Sequence, residues 1–207
     1  MPDLLKKRGS LVARHDFDML PRSRDIEVRQ ARRADLWAVA EMGNRMVPGV
    51  NITVTDLERY YAFDPDSILT FARQGKLLGA VAFIYLNRSG LDALLRAEVR
   101  LTQPALSLLA SRFEQVSAIY VWAIAGQGRA MAGLGNVSEH LCKTRLAPAD
   151  LYAQPSSEDG RNLMMAIGFE PIESSQQELW RYQRPWNRTS ANEGAGASAG
   201  SFANARH

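Results

Sequence analysis

Apolar and polar residues alternate over Ile26 to Ala31 (IEVRQA), the period of a strand with one covered face. From Ala34 to Met46 the period lengthens. Leu36, Ala38, Val39, Met42 and Met46 share one helical stripe, and Pro48-Gly49 stops the helix. Thr55, with Glu58 three residues on, reads as a capping box for a second helix that Asp64-Pro65-Asp66 ends. Ser67 to Arg73 and Leu77 to Leu86, joined through Gln74-Gly75-Lys76, predict a β-hairpin. Its second arm is apolar almost throughout, as a central strand buried on both faces is. Asn87 to Val116 is a helical interruption, with Ser89 capping one short helix and Pro104 in the first turn of another. Leu94, Leu95, Leu101, Leu106, Leu108 and Leu109 give that segment an apolar face. Ala118 to Ala125 (AIYVWAIA) predicts another fully buried strand. Gln127 to Ala132 is a glycine-containing turn, overlapping a helix from Met131 to Thr144. A short strand at Asp150 to Ala153, a helix from Ser157 to Ile167 ended by Gly168, and strands at Phe169 to Ile172 and Glu178 to Gln183 complete the pattern.

That order implies an α+β, or mixed α/β, domain around one sheet. With 207 residues the chain has room for one domain and a sizeable core, expected over residues 25–186. Residues 1–24 are polar and basic, and 187–207 (NRTSANEGAGASAGSFANARH) hold too little apolar surface to offset chain entropy, so a disordered tail is expected. Net charge is only +3, but the first 33 residues carry nine of the basic side chains, among them Lys6, Lys7, Arg8 and Arg14. Such an arm solubilises the chain; its other use is contact with nucleic-acid phosphates, the weaker of the two readings. The longest strongly apolar stretch, Leu77 to Leu86, is far short of the roughly 20 residues of a membrane span, so no membrane association is expected. Cys142 stands alone, which excludes an internal disulfide and suits a cytoplasmic setting. His15, His140 and His207 lack metal-ligand spacing, and no metal is expected.

The most informative stretch is Trp122 to Ala132 (WAIAGQGRAMA), a buried strand running through a tight turn into a helix. At such a junction several backbone N–H groups lack helical partners and point together, and the helix dipole adds positive potential. A phosphate or pyrophosphate suits that environment. Gly126 and Gly128 allow close backbone approach, and Arg129 can add a charged contact.

These residues resemble the acyl-CoA signature of the GNAT superfamily of N-acyltransferases, Q/R-x-x-G-x-G/A after the fourth strand. Here it reads Gln127-Gly128-Arg129-Ala130-Met131-Ala132, with alanine in place of the middle glycine. A second register takes Gly133-Leu134-Gly135 as the G-x-G pair. Ser157 to Phe169 (SEDGRNLMMAIGF) resembles the family's last helix, N-x-x-A-x-x-L-Y-x-x-x-G-F. Leu163, Gly168 and Phe169 match, Ser157 replaces the asparagine and Met164 the tyrosine.

The resemblance implies a mostly antiparallel, splayed sheet flanked by helices, here with a helical insertion between the third and fourth strands. It implies acetyl-CoA or another acyl-CoA as co-substrate, and a small-molecule amine or protein amino group as acceptor. Gln127, Gly128, Arg129, Ala130, Met131, Ala132 and Ser157 would hold the coenzyme, and a backbone N–H near Ile124 would meet the oxyanion. Met164 cannot give the leaving thiolate a proton, and Ala118 to Ala125 holds no carboxylate base. Tyr120 and Tyr152 are the candidates for those catalytic roles. The same departures favour the rival function, an acyl-CoA sensor or protein-interaction module without turnover. The leucine-rich insertion packs on the sheet, shapes an acceptor pocket, covers an acyl chain or makes a homodimer contact. Trp180, Tyr182 and Trp186 suggest an aromatic face on the last strand, lining an acceptor, an oligomer contact or the core.

Overall fold

The computed structural model describes residues 15–49, 51–100, 103–126, 128–142, 145–185 and 187. In chain order the elements are β1 (Glu27–Gln30), α1 (Leu36–Met46), α2 (Val54–Phe63), β2 (Ile68–Arg73), β3 (Lys76–Leu86), α3 (Arg88–Leu95), β4 (Ala118–Gly126), α4 (Leu134–Cys142), β5 (Asp150–Ala153), α5 (Glu158–Ala166), β6 (Glu170–Pro171) and β7 (Trp180–Tyr182). The strands form one seven-stranded sheet in the order β1-β2-β3-β4-β5-β7-β6. Every neighbouring pair is antiparallel except β4 with β5.

The β2–β3 connection is a two-residue turn in which Gln74 (φ 51°) and Gly75 (φ 76°) are both left-handed, the geometry that matches strand twist in a hairpin. β3 is central, and Gly79 to Leu86 are buried without interruption. Its side chains alternate between two layers. Val81, Phe83 and Tyr85 face α4 and α5, in a core with Val121, Leu151 and Phe169. Ile84 and Leu86 face α3, with Tyr60, Tyr120 and Tyr152, and Ala80 joins Leu36, Val39 and Leu57 under α1 and α2.

Several boundaries differ from the sequence reading. The capping box of α2 is Thr53 with Asp56, not Thr55 with Glu58. Asn44 explains the earlier start, because its amide clamps both backbone groups of Ile52 and fixes the chain just ahead of Thr53. α3 is capped by Asn87, whose Oδ1 accepts from Gly90 N–H at 2.9 Å, not by Ser89. The second helix of the insertion is only a 3-10 turn at Leu106–Leu108. Asn87 again decides: its Nδ2 donates to Ser107 O, its N–H donates to Leu108 O, and Leu109 bridges Leu86 at the end of β3. That limb runs so close to α3 that a Cβ on Gly90 would stand 2.1 Å from Leu108 O. Leu94 and Leu109 pack inward, whereas Leu106 is exposed and Leu101 lies outside the described residues. α4 begins at Leu134 rather than Met131, because Gly128–Gly133 coil as a 3-10 segment. Its expected end at Thr144 lies outside the described residues.

Residues 15–24, assigned above to the basic arm, pack on the α4–α5 layer. His15 N–H donates to Ala166 O, Phe17 is buried edge-on against Tyr182, and Asp18 pairs with the fully buried Arg184 beyond β7. Trp180 and Tyr182 belong to this core. Residues 1–14, Trp186 and the tail from 188 lie outside the described residues.

Candidate functional site

β4 and β5 run side by side only from Ala118–Asp150 to Val121–Ala153. Two local features end the pairing. β4 carries an extra residue, Trp122, because its partners on β3 step from Phe83 opposite Val121 to Ala82 opposite Ala123. A bulge of this kind bends the strand and increases its twist. On the other side Gln154 is followed by Pro155, which has no N–H for a ladder. Trp122 to Gly126 therefore continue beside β3 alone, and alternate backbone groups on their other edge face a gap. This half of β4 is only half-buried at Trp122, Ala123 and Ile124, against the expectation of a fully buried strand. The gap is the reason.

A cavity of ≈ 500 Å³ fills the gap. Its rim is formed by Met46 to Pro48 after α1, by Trp122 to Ile124, and by Gln154 to Ser157 ahead of α5. Its lining continues through the buried side chains of Val81, Phe83, Phe17, Val137 and Phe169. Asp159, on the exposed first turn of α5, is the one ionisable side chain among the described lining residues.

At one end of the gap lies the turn that the sequence singled out. Gly128 has φ +52°, a conformation that favours glycine, and it is exposed together with Arg129 and Ala132. Ala130 is buried, and Met131 is half-buried and lines the cavity. Gln127 lies outside the described residues. The glycines of the second register are packed inward. A Cβ on Gly133 would stand 2.8 Å from the Phe71 ring, and one on Gly135 only 2.2 Å from Pro21 O. Close packing, not ligand approach, requires these two.

Ile124 and Ser157 both line the cavity, on opposite walls. Ser157 is the N-cap of α5, its Oγ accepting from Gly160 N–H at 3.1 Å. Tyr120 and Tyr152 are cross-strand partners on the α1–α3 face of the sheet and do not line the cavity. Burial pushes both phenols above their ordinary range, so they remain protonated donors rather than bases. Tyr120 nevertheless reaches the rim through one intermediary, since its hydroxyl donates to Gln154 Oε1 at 2.9 Å and Gln154 Nε2 donates to Gln177 O at 2.6 Å. Sequence reasoning missed Gln154 and the bulged Trp122. A polar residue between an apolar strand and a proline was the available signal for the first. Nothing local marks the second, because a bulge is a property of the pair of strands. Met164 lines the cavity where the resemblance would place a hydroxyl.

No protein-family model matches the sequence, and no curated protein matches it. Solved structures do. The loading GNATL domain of CurA from Lyngbya majuscula superposes with a TM-score of 0.57 over 76% of this chain and 97% of that domain, at 13% identity. The chain has the GNAT fold. Naa20 from Chaetomium thermophilum, solved with a bisubstrate analogue, is similar at TM-score 0.51, covering 79% of this chain and 89% of its own, again at 13% identity. Within the GNAT fold the parallel β4–β5 pair that parts into a cleft is the feature that gives this chain a ligand-sized opening.

Proposed function

We propose that the protein binds an acyl-CoA thioester in the β4–β5 cleft and transfers the acyl group to an amine. One observation supports this most: the cleft combines an unpaired strand edge, an apolar cavity and an exposed glycine turn bearing Arg129. The edge offers backbone hydrogen bonds to the amides of a pantetheine arm. The turn offers N–H groups and a guanidinium to the phosphates. A backbone N–H at or next to Ile124 would stabilise the oxyanion formed when an amine attacks the thioester. In an apolar cavity that bond is stronger than in water.

The attacking amine must be neutral. The described cavity lining offers only Asp159, at the exposed rim, as a proton acceptor. This supports an acceptor that needs little help. An α-amine at roughly pKa 7.7–8.0 is about a tenth to a sixth neutral at pH 7, whereas a lysine near 10.4 is neutral in under about one molecule in a thousand. The leaving thiolate takes its proton from water or from the attacking nitrogen, which sheds one on becoming the amide, since Met164 has none to give.

Calorimetric titration with acetyl-CoA tests the binding step. Arg129→Glu, an exposed change, is expected to weaken binding at least tenfold while leaving the melting temperature unchanged. No binding of CoA or any thioester would overturn the proposal. Thiol release in the presence of a panel of amines tests transfer. Binding without release would leave the second reading, an acyl-CoA-responsive module, which Met164 and the scarcity of bases favour.

A further inference from the structure

The described insertion residues do not line the cavity, so Leu94, Leu108 and Leu109 do not set the size of its contents. The sheet does. Beyond the rim the cavity lining includes Val81, Phe83, Phe17, Val137 and Ile167, all buried in the core on the α4–α5 side of the sheet. The deep part is therefore reached past the point where β4 and β5 part, on the α4–α5 side. A water molecule there would find few polar partners, and an apolar space of this kind is stable either dry or filled by an apolar group. An acetyl group would leave it largely unfilled. A carboxylated acyl group would bring a charge into walls that present no cationic side chain among the described lining residues, at a desolvation cost nothing repays.

We infer that the donor is a CoA thioester of an uncharged, medium-length aliphatic acid, whose acyl chain occupies the space between Phe17, Val81, Phe83 and Val137. The inference rests on the acyl-CoA reading above. It goes further by assigning the acyl group to the deep cavity, which excludes both acetyl as the preferred group and the dicarboxylic acyl groups. Phe17 belongs to the segment held by the Asp18–Arg184 pair and by the His15 to Ala166 hydrogen bond, so the end of the space has a fixed wall. Chain length is thereby limited as well as favoured.

The test is calorimetry on the full chain with CoA, acetyl-, butyryl-, hexanoyl-, octanoyl- and succinyl-CoA. Burying a methylene contributes about 0.8 kcal/mol, or about fourfold in affinity. Affinity is expected to rise by about that factor per methylene from acetyl upward, then to stop rising once the space is full. Succinyl-CoA is expected to bind more weakly than butyryl-CoA. Val137→Phe fills the deep end and is expected to lower the octanoyl-to-acetyl affinity ratio at least tenfold. Should that variant not fold, the same series as N-acetylcysteamine thioesters, which lack the phosphates, reads the acyl space on the wild-type protein and is expected to show the same slope. Acetyl-CoA binding as tightly as octanoyl-CoA, or succinyl-CoA binding tightest, would overturn the inference and leave the transferase reading standing. Failure of CoA and every thioester to bind would overturn both.

Discussion

Replacing Gly135 by alanine sets two effects of opposite sign against each other. Gly135 is the second residue of α4, where helix propensity alone favours alanine by up to about 1 kcal/mol. Packing opposes it. The new Cβ would stand 2.2 Å from Pro21 O, 2.8 Å from Pro21 C and 2.9 Å from Leu20 O. All three are backbone atoms, so no side-chain rotation relieves the contact, and residues 20–21 must move away from α4. That movement pulls on the bonds by which Asn136 holds the same segment: Ser23 N–H to Oδ1 at 2.8 Å, and Nδ2 to Ser23 O at 3.0 Å and to Ile26 O at 3.1 Å. Overpacking costs about 1–3 kcal/mol, and each weakened hydrogen bond about 1 kcal/mol. The net expectation is a loss of about 3–5 kcal/mol, or roughly 6–20 °C in melting temperature for a chain of this size. Urea unfolding should show a lower midpoint at unchanged m. Gly43→Ala in α1 is the matched control, since its Cβ would meet only the flexible end of Ile52 at 3.3 Å; it should be neutral or stabilising. If Gly135→Ala were as stable as wild type, the close packing of residues 20–21 on α4 would be refuted. So would the reason for setting aside Gly133-Leu134-Gly135 as a ligand turn.

The Asp18–Arg184 pair ties the same segment to the end of β7, and both side chains are almost fully buried. Asp18→Asn removes the carboxylate charge held against the buried guanidinium and should cost about 3–5 kcal/mol in urea unfolding, with Asp18→Leu plus Arg184→Met recovering most of it; a loss below about 1 kcal/mol for the single change would contradict the pairing. Acid should also destabilise the fold. The imidazole of His140, 3.6 Å away, and an amide hydrogen bond from Gln30 hold the Asp66 carboxyl below its ordinary 3.8, and a hydrogen bond from Arg29 does the same for Asp35. A folded-state pKa below the unfolded one means stability that is present above about pH 4 and is lost as pH falls through the depressed value. Urea midpoints measured from pH 6 down to 2.5 should fall below pH 4, and the fall should be shallower in Asp35→Asn/Asp66→Asn; an identical slope in that variant would remove these carboxylates from the account.

Element types were legible in the sequence because they rest on short-range periodicity. The β2–β3 hairpin was fixed by Gln74-Gly75, α5 by its Ser157 cap and Gly168, and the central place of β3 by its unbroken apolar run. Features set by partners distant in the chain were not legible. Thr53 and Thr55 both precede an acidic residue by three, and only the clamp of Asn44 on Ile52 selects the first. The composition of residues 104–109 suits a helix, but Asn87 and the close approach at Gly90 hold that segment against α3 with only a 3-10 turn in it. Residues 15–24 look like part of a basic arm because their anchors lie at the other end of the chain, at Ala166, Tyr182 and Arg184.

The site shows the same division. The turn at Gly128 to Ala132 could be found from its glycines, yet a glycine turn is informative only if something opens beside it. What opens the cleft is a coincidence of two departures from regular strand pairing, the extra residue Trp122 in β4 and Pro155 directly after Gln154. Neither would suffice alone. A bulge without the proline would let β5 continue along the bent strand, and the proline without the bulge would leave β4 straight and the gap narrow. Together they part the sheet beside the turn that carries Arg129, and the apolar side chains that would otherwise close the core become the cavity wall. The opening and its chemistry therefore have one origin: much of its lining, from Val81 to Phe169, is buried core that the parting of two strands leaves facing a cavity. That is why the cavity is apolar, why it offers so little acid–base chemistry, and why an aliphatic thioester meeting a weakly basic amine is the chemistry it fits.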